Sequence, residues 1–160
     1  MATISKKRIA TAQQFGGTPY GNKLALLFSL VTNSSGVVSD GDSTSAPTAS
    51  DKVRIGTLPA GMQLIDALAI VSDAFTATVT AKIGFEYVDG VDSTDVPQDA
   101  DYFFAALAMD AAARTRANNT AVVPLVLPKD AYLVIDWDVA TNAAAGRLDF
   151  VVEGVLVGAA

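Results

Sequence analysis

The segment from Lys52 to Gly90 most constrains the fold, because its hydrophobic pattern is that of three β-strands joined by turns. Residues 77–87 alternate apolar with polar side chains, and a period of two indicates a strand with one buried and one solvated side. Residues 64–71 are apolar on both faces. Between the first two strands, Leu58-Pro59-Ala60-Gly61 combines the fixed φ of proline with a glycine that tolerates positive φ, which favours a tight turn.

Four further segments have strand patterns, namely residues 24–31, 121–127, 132–139 and 148–157. Pro124 cannot donate to a ladder and therefore predicts a sheet edge or a bulge. In the third of these segments the predicted inward side chains are Leu133, Ile135, Trp137 and Val139, and the predicted outward ones are Tyr132, Val134, Asp136 and Asp138. Residues 101–117 are ambiguous: their alanines favour a short helix, whereas the alternative is a strand with Tyr102, Phe104 and Ala106 on one side.

Seven or so short strands without long intervening helices predict an all-β fold, an antiparallel β-sandwich with at most one short helix. A jelly roll is the favoured version. We expect one sandwich domain at residues 23–160, preceded by an extended N-terminal arm at residues 1–22, where Gly16-Gly17, Pro19 and Gly21 oppose a helix. The polar loop at residues 32–51 is long for a compact domain and indicates a functional or interface loop.

The residue inventory argues against an enzyme. The chain has no Cys and no His, so disulfides, thiol nucleophiles, imidazole bases and the usual zinc and haem ligands are excluded, and we expect no cofactor and no metal. Asp136 and Asp138 lie two apart and could act as an acid/base pair of a hydrolase, but an outward, solvated strand face is the simpler interpretation. The acidic turns at Asp40-Gly41-Asp42 and residues 89–95 lack the ligand spacing of calcium loops.

Charge is unevenly distributed along the chain. Residues 1–23 contain Lys6, Lys7, Arg8 and Lys23 and no acid, whereas all 17 acidic residues lie beyond them, giving a net charge of −6 overall. A basic segment on an acidic body suits attachment to an acidic surface better than nucleic-acid binding by the body. The alternative is a terminus that only aids solubility.

Mean hydropathy is +0.36, which is high for a free monomer and suggests that a second copy covers apolar surface, unless the alanine content inflates the average. Apolar runs stay short of the ~18 residues that span a bilayer. Gln13 and Gln14 interrupt any signal-peptide pattern, so we expect synthesis in the cytoplasm and no membrane partner.

The order of a basic arm, a polar loop, IGTLPAGMQLIDALAIVSDAF, ATVTAKIGFEYVDG and a closing LPKDAYLVIDWDV resembles the head decoration, or capsid cement, proteins of tailed bacteriophages. That resemblance implies a homotrimeric jelly roll on the capsid surface of the virion, synthesised in the host cytoplasm. It also implies a non-enzymatic role, in which the protein stabilises the capsid by bridging subunits of the major capsid protein. The candidate capsid-binding residues are Lys6, Lys7, Arg8 and Lys23. The alternative is a tail or head-fibre β-sandwich that binds a receptor or glycan, with Tyr20, Tyr87 and Tyr102 as exposed platforms.

Overall fold

The computed structural model describes residues 2–10 and 23–157, and these fold into a sandwich of two β-sheets. The strands are β1 (Thr3–Ala10), β2 (Lys23–Thr32), β3 (Lys52–Leu58), β4 (Met62–Asp73), β5 (Thr80–Tyr87), β6 (Asp99–Ala108), β7 (Ala113–Arg116), β8 (Leu125–Val126), β9 (Ala131–Val139) and β10 (Gly146–Leu156). Within the described ranges, no helix has the length and apolar character needed to cross a membrane.

The strand order confirms the predicted jelly roll. One sheet, here called the β1 sheet, has the order β1-β3-β9-β5-β6, and the other, the β2 sheet, has the order β2-β10-β4-β7 with β8 also paired to β4. Without β1 and β8, each sheet has four strands, in the orders β3-β9-β5-β6 and β2-β10-β4-β7, which is the arrangement of a jelly roll built from two Greek keys. The pairs are antiparallel except for β1 and β3, which are parallel.

The inner faces of the two sheets form a continuous apolar core. Leu133, Ile135 and Trp137 of β9 are fully buried as predicted, but Val139 is 47% exposed because the strand ends there. Val134 is fully buried, although the alternating pattern of this strand predicted that its side chain points outward. It pairs with Gly84, and a Cβ built on Gly84 would lie 2.0 Å from the Asp99 carbonyl oxygen, so the chain entering β6 covers the outer face at this point.

The helix predicted within residues 101–117 is wrong, and the strand alternative is correct. β6 and β7 occupy this segment. Tyr102, Phe103 and Phe104 are all buried, which the irregular register of β6 against β5 permits, whereas Ala106 is exposed. Burying three aromatic side chains stabilises the strand by roughly 2 kcal/mol each, and the helix preference of alanine amounts to only tenths of that.

Two turn and edge predictions are confirmed. Gly61 has a φ of +75° at the reversal between β3 and β4, which only glycine adopts without strain. Pro124 lies just outside β8, a two-residue strand that pairs with β4 at the margin of the β2 sheet.

Part of the predicted N-terminal arm belongs to the sandwich. Thr3–Ala10 forms β1 at the edge of the β1 sheet, and Ile4 is 3% exposed within the core. Residues 11–22 lie outside the described residues, so the boundary at residue 22 stays a prediction.

Candidate interaction surfaces

The long polar loop at residues 32–51 holds the N-terminal strand in place. The Ser5 N–H donates to the Asp42 carboxylate at 2.9 Å, and the Asp42 N–H donates back to the Ser5 carbonyl at 2.8 Å. Farther along the loop, the Asp51 carboxylate accepts the Ala2 N–H at 2.7 Å. Since Ile4 also packs beside Gly41, a loop that the sequence marked only as unusually long is a clamp for β1.

Asp51 is the charged centre of this clamp. Burial alone would raise the pKa of the Asp51 carboxyl, but hydrogen bonds from the Thr48 and Ala2 backbone N–H groups and from the Thr48 hydroxyl outweigh it, and the pKa is lowered. An ionised Asp51 therefore stabilises both the loop and the start of β1.

The structure places the four predicted capsid-binding residues on two strands, one in each sheet. Lys6, Lys7 and Arg8 belong to β1 at the edge of the β1 sheet, and their side chains lie outside the described part of the structure. Lys23 begins β2 in the other sheet. Its ammonium group is 2.9 Å from the Glu153 carboxylate, and the side chain is 70% exposed. Lys23 is thus available to a partner, and β2 is the edge strand that packs against β3, the neighbour of β1.

The outer face of the β1 sheet carries a network of ion pairs. Glu86 accepts from Arg54 at 2.6 Å and lies 3.4 Å from Lys52, and these side chains are mostly buried. Arg54 also stacks over the Tyr132 ring, 4.6 Å from its centroid. These mutually satisfied charges order the sheet face and leave little free charge for a ligand.

Asp136 and Asp138 lie on this same face, as the spacing predicted. Burial raises the pKa of Asp136, although Lys52 and Lys82 act in the opposite direction. Asp138 is 3.6 Å from the Lys82 ammonium. The two carboxylates are therefore members of the ion network of this face.

The outer face of the β2 sheet has an apolar centre with a charged rim. Leu27, Val151 and Leu68 are register partners across three strands, and Leu27 is 67% exposed. Around them lie ion pairs on the same sheet, including Arg147 with Asp149 at 2.9 Å and Arg116 with Asp66. An apolar centre inside a polar rim is the usual anatomy of a protein–protein contact surface.

A cleft of about 430 Å³ opens between the loop before β6 and the loop before β8. We call it the acidic cleft. Its walls are Val96, Pro97, Val122, Val123 and Leu125, its floor includes Tyr102, and Asp95 and Asp99 lie among its lining residues. Burial raises the pKa of Asp99, and a hydrogen bond with Asp101 and the charge of Asp101 add to this.

The acidic turns do not assemble into a metal site. No group of three or more acidic side chains that could hold a metal ion is found in residues 2–10 and 23–157. Asp42 is used in the clamp of β1, and Asp89 pairs with Lys129 at 2.9 Å, which lowers its pKa.

Three tyrosines were predicted as exposed binding platforms, and the prediction is wrong for the two of them that the structure describes. Tyr87 is 2% exposed and Tyr102 is 6% exposed, so neither ring faces solvent. The Tyr87 hydroxyl donates to the Val96 carbonyl at 2.5 Å, and the Tyr102 hydroxyl donates to the Val123 carbonyl at 2.9 Å. Both rings support the walls of the acidic cleft. The third predicted platform, Tyr20, lies outside the described residues.

The sequence did not point to this cleft, because its two walls are loops separated by about twenty residues in the chain. The available signals were five aspartates without a basic residue at positions 88–101, and the uncharged run at positions 117–127. Neither signal shows that the two loops meet.

Comparison with solved structures finds similar folds among phage capsids. The chain superimposes on a chain from the capsid of Ralstonia phage GP4 with a TM-score of 0.66 and 18% identity, covering 99% of this chain and 100% of that one. A chain of the cyanophage Pam1 capsid asymmetric unit gives a TM-score of 0.57 at 14% identity, covering 91% of this chain and 93% of that one. No protein-family profile and no curated protein sequence matches.

Proposed function

We propose that this protein is a structural component of a phage virion that decorates the assembled capsid and stabilises it by bridging subunits of the major capsid protein. The observation that carries the proposal is the agreement of fold over essentially the whole of both chains with a chain from a phage capsid. The likeness covers 99% of this chain and 100% of the other.

The exposed surface suits a protein that acts by binding other proteins. The exposed Leu27 row within its rim of ion pairs offers apolar area to a partner, and the β1 face is closed by its own ion network. Apolar area removed from water contributes about 25 cal/mol per Å², so even a modest patch adds useful affinity.

Many copies bound over the capsid shell together stabilise it more than one copy does. A copy that touches two capsid subunits binds only the assembled state, and it therefore shifts the equilibrium toward that state. A homotrimer multiplies the effect, because its second and third contacts form at high effective concentration. In this proposal the basic segment containing Lys6, Lys7 and Arg8, together with Lys23, joins the protein to acidic surfaces of the assembly.

Binding to purified heads tests the proposal. The wild-type protein is mixed with heads stripped of decoration, the heads are sedimented, and the bound copies are counted; heads with bound protein are then heated to measure capsid rupture. We expect saturable binding and a higher rupture temperature. Binding that never saturates, or saturated heads that rupture at an unchanged temperature, would refute the decoration role.

Charge substitution tests the basic segment without removing it. Deleting residues 1–22 would also remove Ile4 from the core, so it would confuse binding with stability. The double variant Lys6→Glu/Lys7→Glu is compared with Lys82→Glu/Lys129→Glu, which makes the same charge change at two partly exposed positions outside the basic segment and outside the outer face of the β2 sheet. We expect the first variant to lower head occupancy about tenfold at low salt and the second to lower it less. Equal occupancy of the two would remove the basic segment from the attachment mechanism.

A further inference from the structure

We propose that the acidic cleft of one copy receives the basic β1 edge of a second copy, so that copies associate head to tail. This inference rests on the homo-oligomer in the proposed function, and it names the two surfaces that meet. The apolar walls take an apolar side chain of the neighbouring strand, and the aspartates pair with its cations.

The charges on the two surfaces are complementary. Residues 88–101 contain five aspartates and no basic residue, and the opposite wall at residues 117–127 carries no charge. The segment from Lys6 to Ile9 supplies three cations followed by an apolar residue. Each side thus lacks what the other provides, and such complementarity favours correct pairing and faster association.

The state of Asp99 supports a cationic occupant. Its carboxyl is partly removed from water and lies beside Asp101, and both conditions disfavour its ionised form. A lysine or arginine brought into the cleft would stabilise the ionised form. A metal ion is a poorer candidate, because the described residues hold no group of three acidic side chains arranged around one point.

The β1 strand of the same chain cannot fill the cleft. β1 and β6 are the two opposite edges of the β1 sheet, with β3, β9 and β5 between them. Four strand spacings of about 4.8 Å place the edges roughly 19 Å apart, and β1 is held at its own edge by the clamp. The complementary strand must therefore come from another molecule.

The two surfaces also lie at the same height along the strands. The register partners form one row across the sheet, Ala10, Gly56, Leu133, Phe85 and Asp99. A neighbour placed edge to edge without a shift along the strands sets Ala10 level with Asp99. Lys6, Lys7 and Arg8 belong to the irregular stretch between Ser5 and Ala10, which is then level with the part of β6 that follows Asp99. Because a heterologous contact without such a shift closes into a ring when the rotation matches, this geometry suits the predicted trimer.

Site-directed cross-linking between copies tests the contact, and the absence of native cysteine makes the introduced thiols unique. Asp95→Cys protein is mixed with Lys6→Cys or with Lys7→Cys protein, because successive strand residues point to opposite faces, and a short bis-maleimide is added. We expect covalent heterodimers with at least one of the two partners. Asp73→Cys, an exposed position in the other sheet, serves as the control and should give few. Equal yields from Asp73→Cys and Asp95→Cys would overturn the proposal.

Charge exchange provides a second test in solution. Asp95→Lys/Asp99→Lys and Lys6→Asp/Lys7→Asp should each weaken self-association about tenfold at low salt, measured by sedimentation equilibrium, because several exposed ion pairs become repulsive. An equimolar mixture should form heterodimers again, because the altered cleft of one variant matches the altered strand of the other and the two unaltered surfaces also match; a closed ring of three would keep one mismatched contact. Failure of the mixture to associate, with both variants folded by tryptophan fluorescence, would also overturn the proposal. These measurements use free protein, so a protein that oligomerises this way but does not bind heads would refute only the decoration role.

Discussion

Replacing Asn142 should destabilise the protein more than any surface substitution, because this side chain is a buried polar junction between loops. Asn142 is fully buried. Its amide nitrogen lies 3.2 Å from the Thr32 hydroxyl, 3.1 Å from the Gly36 carbonyl and 3.0 Å from the Ala144 carbonyl. Its amide oxygen accepts both the backbone N–H and the hydroxyl of Thr76 at 3.2 Å. One side chain thus joins the loops that follow β2, β4 and β9.

The expected loss of stability follows from the number of hydrogen bonds that this side chain makes. The amide has two hydrogens to donate and accepts two more bonds, so Asn142→Ala removes four hydrogen bonds at about 1 kcal/mol each and leaves buried partners unsatisfied. We expect a loss of about 3–5 kcal/mol, a large share of the roughly 5–15 kcal/mol typical of a domain. The midpoint of thermal unfolding should fall by roughly 10 °C.

Trp137 is the only tryptophan and is fully buried, so its fluorescence reports urea unfolding directly. The matched control is Asn33→Ala, which removes bonds to the N–H groups of Ser35 and Val37 in an exposed turn. Since water can replace those bonds, the control should lose less than about 1 kcal/mol. A loss from Asn142→Ala no larger than that of the control would refute the reasoning.

Asn142→Asp adds a pH test of the same argument. The substituted carboxylate would face the Gly36 and Ala144 carbonyl oxygens, which disfavour its ionised form and raise its folded pKa. A group with a raised folded pKa stabilises the fold below its unfolded pKa, near 3.9, and that contribution is lost as pH rises through the folded pKa. Relative to wild type, the variant should therefore be least stable at neutral pH and should recover near pH 4.

Two further substitutions test the packing and the clamp. Gly84→Ala should lower the free energy of unfolding in urea by about 2–4 kcal/mol, because the new Cβ would lie 2.0 Å from the Asp99 carbonyl oxygen. The control is Gly90→Ala, where no atom lies within 4 Å, and its positive φ alone should cost about 1 kcal/mol. Similar losses for the two variants would refute the close approach at Gly84. Asp51 has a lowered folded pKa, so its contribution is present above the unfolded value near 3.9 and is lost as pH falls through the folded value. Wild-type stability should accordingly fall more steeply than that of Asp51→Asn below about pH 4, and parallel pH profiles would contradict the role of Asp51 in holding β1.

The strands of the jelly roll could be predicted because alternation of apolar and polar residues reports burial directly. Leu133, Ile135 and Trp137 follow that pattern and are buried. Val134 does not, because its cover comes from the distant chain entering β6, and no local pattern records such a contact. The segment from Tyr102 to Phe104 was misassigned for a related reason, since helix propensity is local and the burial of three consecutive aromatics is a tertiary effect.

The interaction surfaces were less predictable than the strands. β1 is a parallel edge strand with three consecutive basic residues, and it has no alternation to identify it. The basic character of this segment was visible in the sequence, but its acidic counterpart was not, because the cleft exists only where two loops meet. Asn142 gave no signal either, since its partners come from three separate parts of the chain.

The most direct test of the central claim is a cryo-electron-microscopy map of the native virion, with this chain identified by fitting its two sheets into density. The account predicts density for the sandwich on the outer surface of the head, in contact with at least two major capsid subunits and with β1 of each copy facing the acidic cleft of the next. Density for this chain on the tail, or a head surface that carries no copy of it, would contradict the account.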